Sequence, residues 1–189
     1  MIIVCDIDGI INDLMPKTLE LYNARTGKNI QMSDITEYNF YDCLSKEDAS
    51  GLIELFKEKE LWDSLEPLPG SQDGLKQIIK SGHQVYLATA TNPINLSWKC
   101  DFVKRHFPFI PEDNVIRIMN KGLLKADVLV DDCVDNLIGS FAERVTLDYP
   151  WNQNELKDYA YGIRRAFCWN DIVNIINDIE KEAKQWERK

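Results

Sequence analysis

The 189-residue sequence has no hydrophobic run near the roughly 20 residues that span a bilayer. Its opening apolar stretch, Met1 to Cys5, meets Asp6 at once, too short for the apolar region of a secretory signal. Cysteine is sparse and unpatterned. Cys5, Cys43, Cys100, Cys133 and Cys168 are odd in number and never fall in a C-x-x-C spacing, which argues against a disulfide framework and against a zinc site. The two histidines, His83 and His106, have no motif around them, so neither Ser-His-Asp nor Cys-His chemistry is a serious competitor, and both suit helix ends. Positive charge is in deficit: 22 Lys and Arg stand against 31 Asp and Glu, a net charge of −9. No broad field therefore draws phosphate backbones or anionic lipid. The expectation is a soluble, unexported, cytoplasmic chain with neither nucleic acid nor membrane as partner.

What is present suits an ordinary folded protein. With 44% hydrophobic and 28% charged residues, the chain can bury a core without disulfides, and its length fits one domain plus a small insertion. Ile2 to Cys5 is a β-branched apolar run of the kind buried on both faces of a parallel sheet. Similar runs at Gln84–Thr89, Asn114–Ile118, Asp127–Val130 and Arg144–Leu147 alternate with helical patterns at Ser71–Ser81, Asn95–His106 and Val134–Phe141. A last helix is expected from Asn170 or Asp171, with Ile172, Val173, Ile175, Ile176 and Ile179 on one side and a tail that frays after Asp178. This alternation predicts an α/β fold with a doubly wound parallel sheet. Residues 14–65 break the rhythm. They hold helical segments at Leu19–Arg25 and Lys46–Leu61 but no strand-like run, and they predict a helical insertion after the first strand. Pro67-Leu68-Pro69-Gly70 would return the chain to the sheet.

The polar residues that close the strands should gather on one rim, where ligands of such sheets bind. Asp6-x-Asp8-Gly9 directly follows the first strand, so two carboxylates can approach a hard cation beside a glycine that lets the backbone turn. Asp131-Asp132 follows the Val128–Val130 run in the same way, and like charges so close call for a cation between them. Thr89 ends a strand with a hydroxyl, Thr91 and Asn92 add donors, and Lys121 lies in a nearby loop with Lys125 as its competitor. A carboxylate nucleophile, a metal site, hydroxyl and ammonium groups and a second carboxylate form the inventory for phosphoryl transfer through an aspartyl-phosphate.

In order and spacing, Asp6-x-Asp8-Gly9, Thr89, Lys121 and Asp131-Asp132 resemble the four motifs of the haloacid-dehalogenase superfamily. The strings Leu65-Glu66-Pro67-Leu68-Pro69-Gly70, Lys99-Cys100-Asp101-Phe102-Val103 and Lys121-x5-Asp127-x3-Asp131-Asp132 resemble the 5′(3′)-deoxyribonucleotidases within it. The resemblance implies a core of residues 1–13 and 66–189 under a helical cap of residues 14–65. It implies Asp6 as nucleophile and Asp8 as the acid that protonates the leaving oxygen. It further implies Mg²⁺ held by Asp6, the Asp8 carbonyl and Asp132, with Asp131 as a supporting acid, and phosphoryl oxygens bound by Lys121 and by Thr89 or Thr91. The implied partner is a small-molecule nucleoside monophosphate. Leu14 stands where the family's cap would supply an aromatic residue, leaving Trp62, Tyr38 and Phe40 as candidates for stacking on a base. Oligomeric state stays open, a homodimer included. A phosphatase of another small phosphomonoester, a phosphorylatable signalling module and a binding protein are the alternatives.

Overall fold

A computed structural model describes residues 1–139, 143–153 and 160–186. Six strands, β1 (Ile2–Cys5), β2 (Gln84–Thr89), β3 (Val115–Arg117), β4 (Val128–Val130), β5 (Glu143–Leu147) and β6 (Ile163–Ala166), form one parallel sheet in the order β3-β2-β1-β4-β5-β6. The doubly wound sheet expected from the sequence is therefore present. From β1 the chain winds outward through β2 and β3, then returns to place β4 on the other flank of β1. The switch point between β1 and β4 is where an open α/β sheet leaves a crevice beyond its carboxyl edge.

Alternation along the strands creates two apolar layers. Ile3, Cys5, Val85, Leu87, Val128, Val130 and Val145 belong to the larger core, whereas Val4, Ala88 and Leu129 belong to a smaller one. Helix α4 (Ser71–Lys80) packs against α6 (Trp169–Trp186), and the approach is close at Gly74, where an added Cβ would lie 2.6 Å from Trp169 Cε3. Helix α5 (Pro93–His106) follows β2 and begins with Pro93 in its first turn, two residues before the predicted start.

Three expectations need correction. The Lys46–Leu61 segment is two helices, α2 (Lys46–Leu55) and α3 (Lys59–Ser64), because the chain turns at Phe56–Glu58 so that Trp62 Nε1 can donate to Phe56 O at 2.9 Å. Val134–Phe141 holds only a 3₁₀ turn, Val134–Leu137, and Phe141 lies outside the described residues. Helix α6 continues to Trp186 instead of fraying after Asp178; Arg164 of β6 clamps Glu182 at 2.6 Å, and Lys184 pairs with Glu180 at 2.6 Å. Strand β6, with the sequence Ile-Arg-Arg-Ala, was not foreseen, since its two central arginines erase the apolar signal. Each arginine is neutralised: Arg164 meets Glu143 and Glu182, and Arg165 meets Asp148.

The insertion carries α1 (Leu14–Thr26), α2 and α3 with two 3₁₀ turns. Its two ends lie side by side. Asp13 N donates to Glu66 O (3.1 Å), Glu66 N to Asp13 Oδ1 (2.8 Å) and Leu68 N to Ile11 O (3.0 Å). Inside it, Asp48 ties α1 to α2 by accepting from Tyr22 Oη (2.7 Å), Ser45 Oγ (2.6 Å) and Lys28. These donors, Lys28 first, lower the Asp48 carboxyl pKa to about 2. A depressed carboxylate stabilises the fold above its ordinary pKa and loses that contribution as pH falls through the folded value. Asp48→Asn should therefore cost about 1 kcal/mol at pH 7, allowing for solvent screening, with the gap to the parent closing as pH falls from about 4 to 2. Urea denaturation across that range measures it, and a gap independent of pH would contradict the ionic origin.

Candidate active site

Backbone ladders run one step past the strands and fix the rim residues. Asp6 N donates to Val130 O at 2.8 Å, Asp131 N to Val145 O at 3.1 Å, and Ile118 N to Thr89 O at 3.0 Å. Asp6, Asp8, Thr89, Thr91, Lys121 and Asp132 consequently line one cavity of about 440 Å³. Asp131 lies immediately behind it, fully buried.

Lys121, 2% exposed, is the hub of the floor: its Nζ donates to Asp6 Oδ1 and to Asp131 Oδ2, each at 2.5 Å. Burial alone would lower the pKa of this ammonium, but the charges of Asp6 and Asp131 outweigh it and hold the pKa above the usual lysine value. Lys125, by contrast, is exposed and outside the cavity lining. Asp131 is fully committed, its Oδ1 accepting from Cys133 N (2.9 Å) and Asn136 Nδ2 (3.1 Å).

Asp132 is different. No hydrogen bond or ion pair from the described residues reaches its carboxylate, although it is buried beside Asp131 and Asp6. Burial, then the charges of Asp131 and Asp6, drive its pKa well above the ordinary carboxylate range. Burial likewise pushes the Asp6 carboxyl up to about 6, with Lys121 opposing and Asp131 and Asp8 adding to the rise. Oxygens of Asp6, Asp131 and Asp132 lie within 4.8 Å of one another. An all-oxygen cluster with one carboxylate lacking a partner fits a hard divalent cation.

Two residues not singled out by the sequence complete the site. Lys99, 2% exposed, extends from α5 to pair with Asp8 Oδ2 and to donate to Thr89 Oγ1 at 2.8 Å, with its Nζ 5.3 Å from the Trp62 ring centre. Asn12 donates from Nδ2 to Asp8 Oδ1 at 3.0 Å, while its Oδ1 accepts from Gly9 N and Leu14 N, both at 3.2 Å. The Asp8 side chain thus faces Lys99 and Asn12 rather than the acidic cluster. Lys99 was visible as the first residue of a recognised string; Asn12 carried no signal beyond its place in the loop.

Behind Asp132, Asn152 Nδ2 donates to the carbonyls of Asp132 (2.9 Å) and Leu147 (2.8 Å), and Arg165 Nη1 donates to Asn152 Oδ1 at 2.7 Å. Tyr149 stacks on Trp151 and donates its hydroxyl to Gly9 O at 2.8 Å. Above the floor, the insertion contributes Leu14, Tyr38, Phe40, Phe56 and Trp62 to the cavity wall, including all three candidates for stacking. His106 ends α5 as expected, whereas His83 lies past the end of α4 and directly before β2; both are outside the lining.

Gly9 has φ +68°, and a Cβ there would stand 2.7 Å from Asp132 Oδ2. Gly9→Ala combines backbone strain with displacement of that carboxylate, so kcat/KM should fall about 10²-fold in a chain that keeps its circular dichroism spectrum. Activity within twofold of the parent would show that this contact is dispensable.

Among the described residues, no helix is long and apolar enough to cross a membrane. The 5′(3′)-deoxyribonucleotidases of Bacillus subtilis (strain 168) and of Bacillus phage SPbeta are each 28% identical to the chain over 172 residues, covering 90% of it and 95% of each relative. A haloacid-dehalogenase (HAD) family hydrolase from Deinococcus radiodurans R1, solved with bound phosphate and sodium, shares the fold with a TM-score of 0.64 at 11% identity, over 94% of this chain and 95% of that one. The family described as 5′ nucleotidase, deoxy (pyrimidine), cytosolic type C protein matches residues 1–185. The chain belongs to that family, and is a phosphomonoester hydrolase of the nucleotidase class on a haloacid-dehalogenase-like fold.

Proposed function

We propose that the protein is a cytoplasmic, Mg²⁺-dependent 5′(3′)-deoxyribonucleotidase that cleaves deoxynucleoside monophosphates through a phosphoryl-Asp6 intermediate. The carrying observation is one cavity that joins a floor of Asp6, Lys121 and Asp132 to a wall of Phe40, Phe56 and Trp62. Its volume, about 440 Å³, lies within the usual small-molecule range of about 300–1,000 Å³. The names of the relatives and the acidic net charge agree with a small nucleotide rather than a nucleic acid.

In this reading an Asp6 oxygen attacks phosphorus as the bond to the leaving nucleoside oxygen breaks, and Asp8 supplies the proton that oxygen needs. Water then attacks phosphorus, Asp8 takes its proton, and the Asp6–phosphorus bond breaks to release phosphate. Lys121, with Thr89 and Thr91, steadies the phosphoryl oxygens. Lys99 and Asn12 orient Asp8. Asp6, Asp132 and the Asp8 carbonyl would hold Mg²⁺, which when bound offsets the negative charge shared by the carboxylates and the phosphate. Asp131 supports the site by holding Lys121. Residues 14–65 serve as the cap that carries the base-binding wall, while residues 1–13 and 66–189 carry the chemistry.

Phosphate release from a panel of nucleoside 5′- and 3′-monophosphates and sugar phosphates tests the substrate class. Pyrimidine deoxynucleotides should lead, and a sugar phosphate with the highest kcat/KM alongside inert deoxynucleotides would overturn the assignment. Excess EDTA should abolish turnover, and Mg²⁺ should restore it. Asp6→Asn should be inactive. Lys121→Ala should lose at least about 10²-fold in kcat/KM, whereas Lys125→Ala should change little. The reverse pattern would move the phosphate-binding role to Lys125.

A further inference from the structure

Among the described residues, three buried side-chain polar atoms have no hydrogen-bond partner: His83 Nε2, Asn95 Oδ1 and Trp151 Nε1. Asn95 and Trp151 line the cavity, whereas His83 lies outside it, its other ring nitrogen 3.4 Å from the Met1 amine. Buried polar groups are almost always paired, so an orphan on a cavity wall marks a place where a ligand can supply the partner. Asn95 is the more sharply defined of the two: it is only 7% exposed, and neither end of its carboxamide is bonded to a described residue.

Its position fixes which part of a nucleotide it would meet. Asn95 is the third residue of α5, one helical turn before Lys99, so the two side chains share a face. The long Lys99 side chain reaches Asp8 and Thr89 at the phosphate end, and its ammonium lies near the Trp62 ring. Asn95 lines the same cavity one helical turn nearer the start of α5, which we read as the stretch of wall between the phosphate floor and the aromatic surface. A nucleoside monophosphate places its sugar in that interval.

The chemistry narrows the contact further. Phosphate oxygens and base carbonyls only accept, so they would leave Asn95 Oδ1 orphaned. A sugar hydroxyl donates as well as accepts, so it can supply the proton that Oδ1 lacks. A base N–H also donates, but lies across the sugar from the phosphate. We propose that Asn95 is a specificity residue whose carboxamide binds the free 3′-hydroxyl of a nucleoside 5′-monophosphate. The assignment rests on the nucleotidase reading above.

The test compares a deoxynucleoside 5′-monophosphate with its 2′,3′-dideoxy counterpart, which lacks only that hydroxyl. The unsubstituted enzyme should favour the deoxynucleotide by about tenfold or more in kcat/KM, the size of one neutral hydrogen bond into a buried site. Asn95→Ala and the nearly isosteric Asn95→Leu should each compress the ratio to below about threefold, mainly by slowing the deoxynucleotide. The leucine variant provides the reading if the alanine variant fails to fold. Equal use of the two substrates by the unsubstituted enzyme, or a ratio that survives both substitutions, overturns the sugar contact. A change in preference among bases with the ratio intact overturns it too, and assigns Asn95 to the base. If the unsubstituted enzyme hydrolyses no nucleotide at all, the nucleotidase reading itself has failed.

Discussion

The site depends on one buried ammonium holding two carboxylates apart. Lys121 donates to Asp6 and to Asp131 in a floor where water cannot screen their repulsion. Removing one partner of a buried ion cluster leaves an uncompensated charge, which costs several kcal/mol. The arrangement is also unbalanced, since one lysine faces three acids and, among the described residues, none gives the Asp132 carboxylate a hydrogen bond or an ion pair. The remaining negative charge and the empty lone pairs are what make an oxygen-liganded cation a good fit. Topology sets this imbalance: β1 and β4 are neighbours only because the sheet reverses there, and both end in aspartates.

Around that floor the supports come from distant parts of the chain. Asn12 belongs to the loop after β1, Lys99 to α5, Asn152 to the segment after β5, and Arg165 to β6. Each fixes a neighbour by a directed bond, so side-chain orientation is settled before any ligand arrives. Preorganisation of this kind avoids reorganisation cost during reaction. Asn95 is the counterexample lining the cavity: it is enclosed like the others, but no described residue partners it.

Much of this was legible in the sequence. Asp6, Asp8, Thr89, Thr91, Lys121 and Asp132 each sit at or just after a strand, or in a loop, where an apolar run stops abruptly, and the sheet then carries them to one edge. Lys99 was harder to see because a lysine on a helix is ordinarily solvated, and only the three-dimensional pairing with Asp8 shows why it is buried. Strand β6 was hidden because its arginines are neutralised by Glu143, Glu182 and Asp148, residues remote in sequence. Local pattern cannot reveal such long-range compensation. The long Lys46–Leu61 helix failed for a related reason, since the indole of Trp62 takes a main-chain acceptor that a continuous helix would have consumed.

The insertion enters and leaves the sheet region through one narrow doorway, where residues 11–13 run beside residues 66–68. Because its ends are already adjacent, a different segment could be grafted between them without stretching the sheet or paying a large closure penalty. The acidic floor is bound to the topology of the sheet, while Tyr38, Phe40, Phe56 and Trp62 of the wall come from the insertion. Lengthening or shortening that insertion would reshape the aromatic side of the cavity and leave the acidic rim, which the strand order fixes, where it stands.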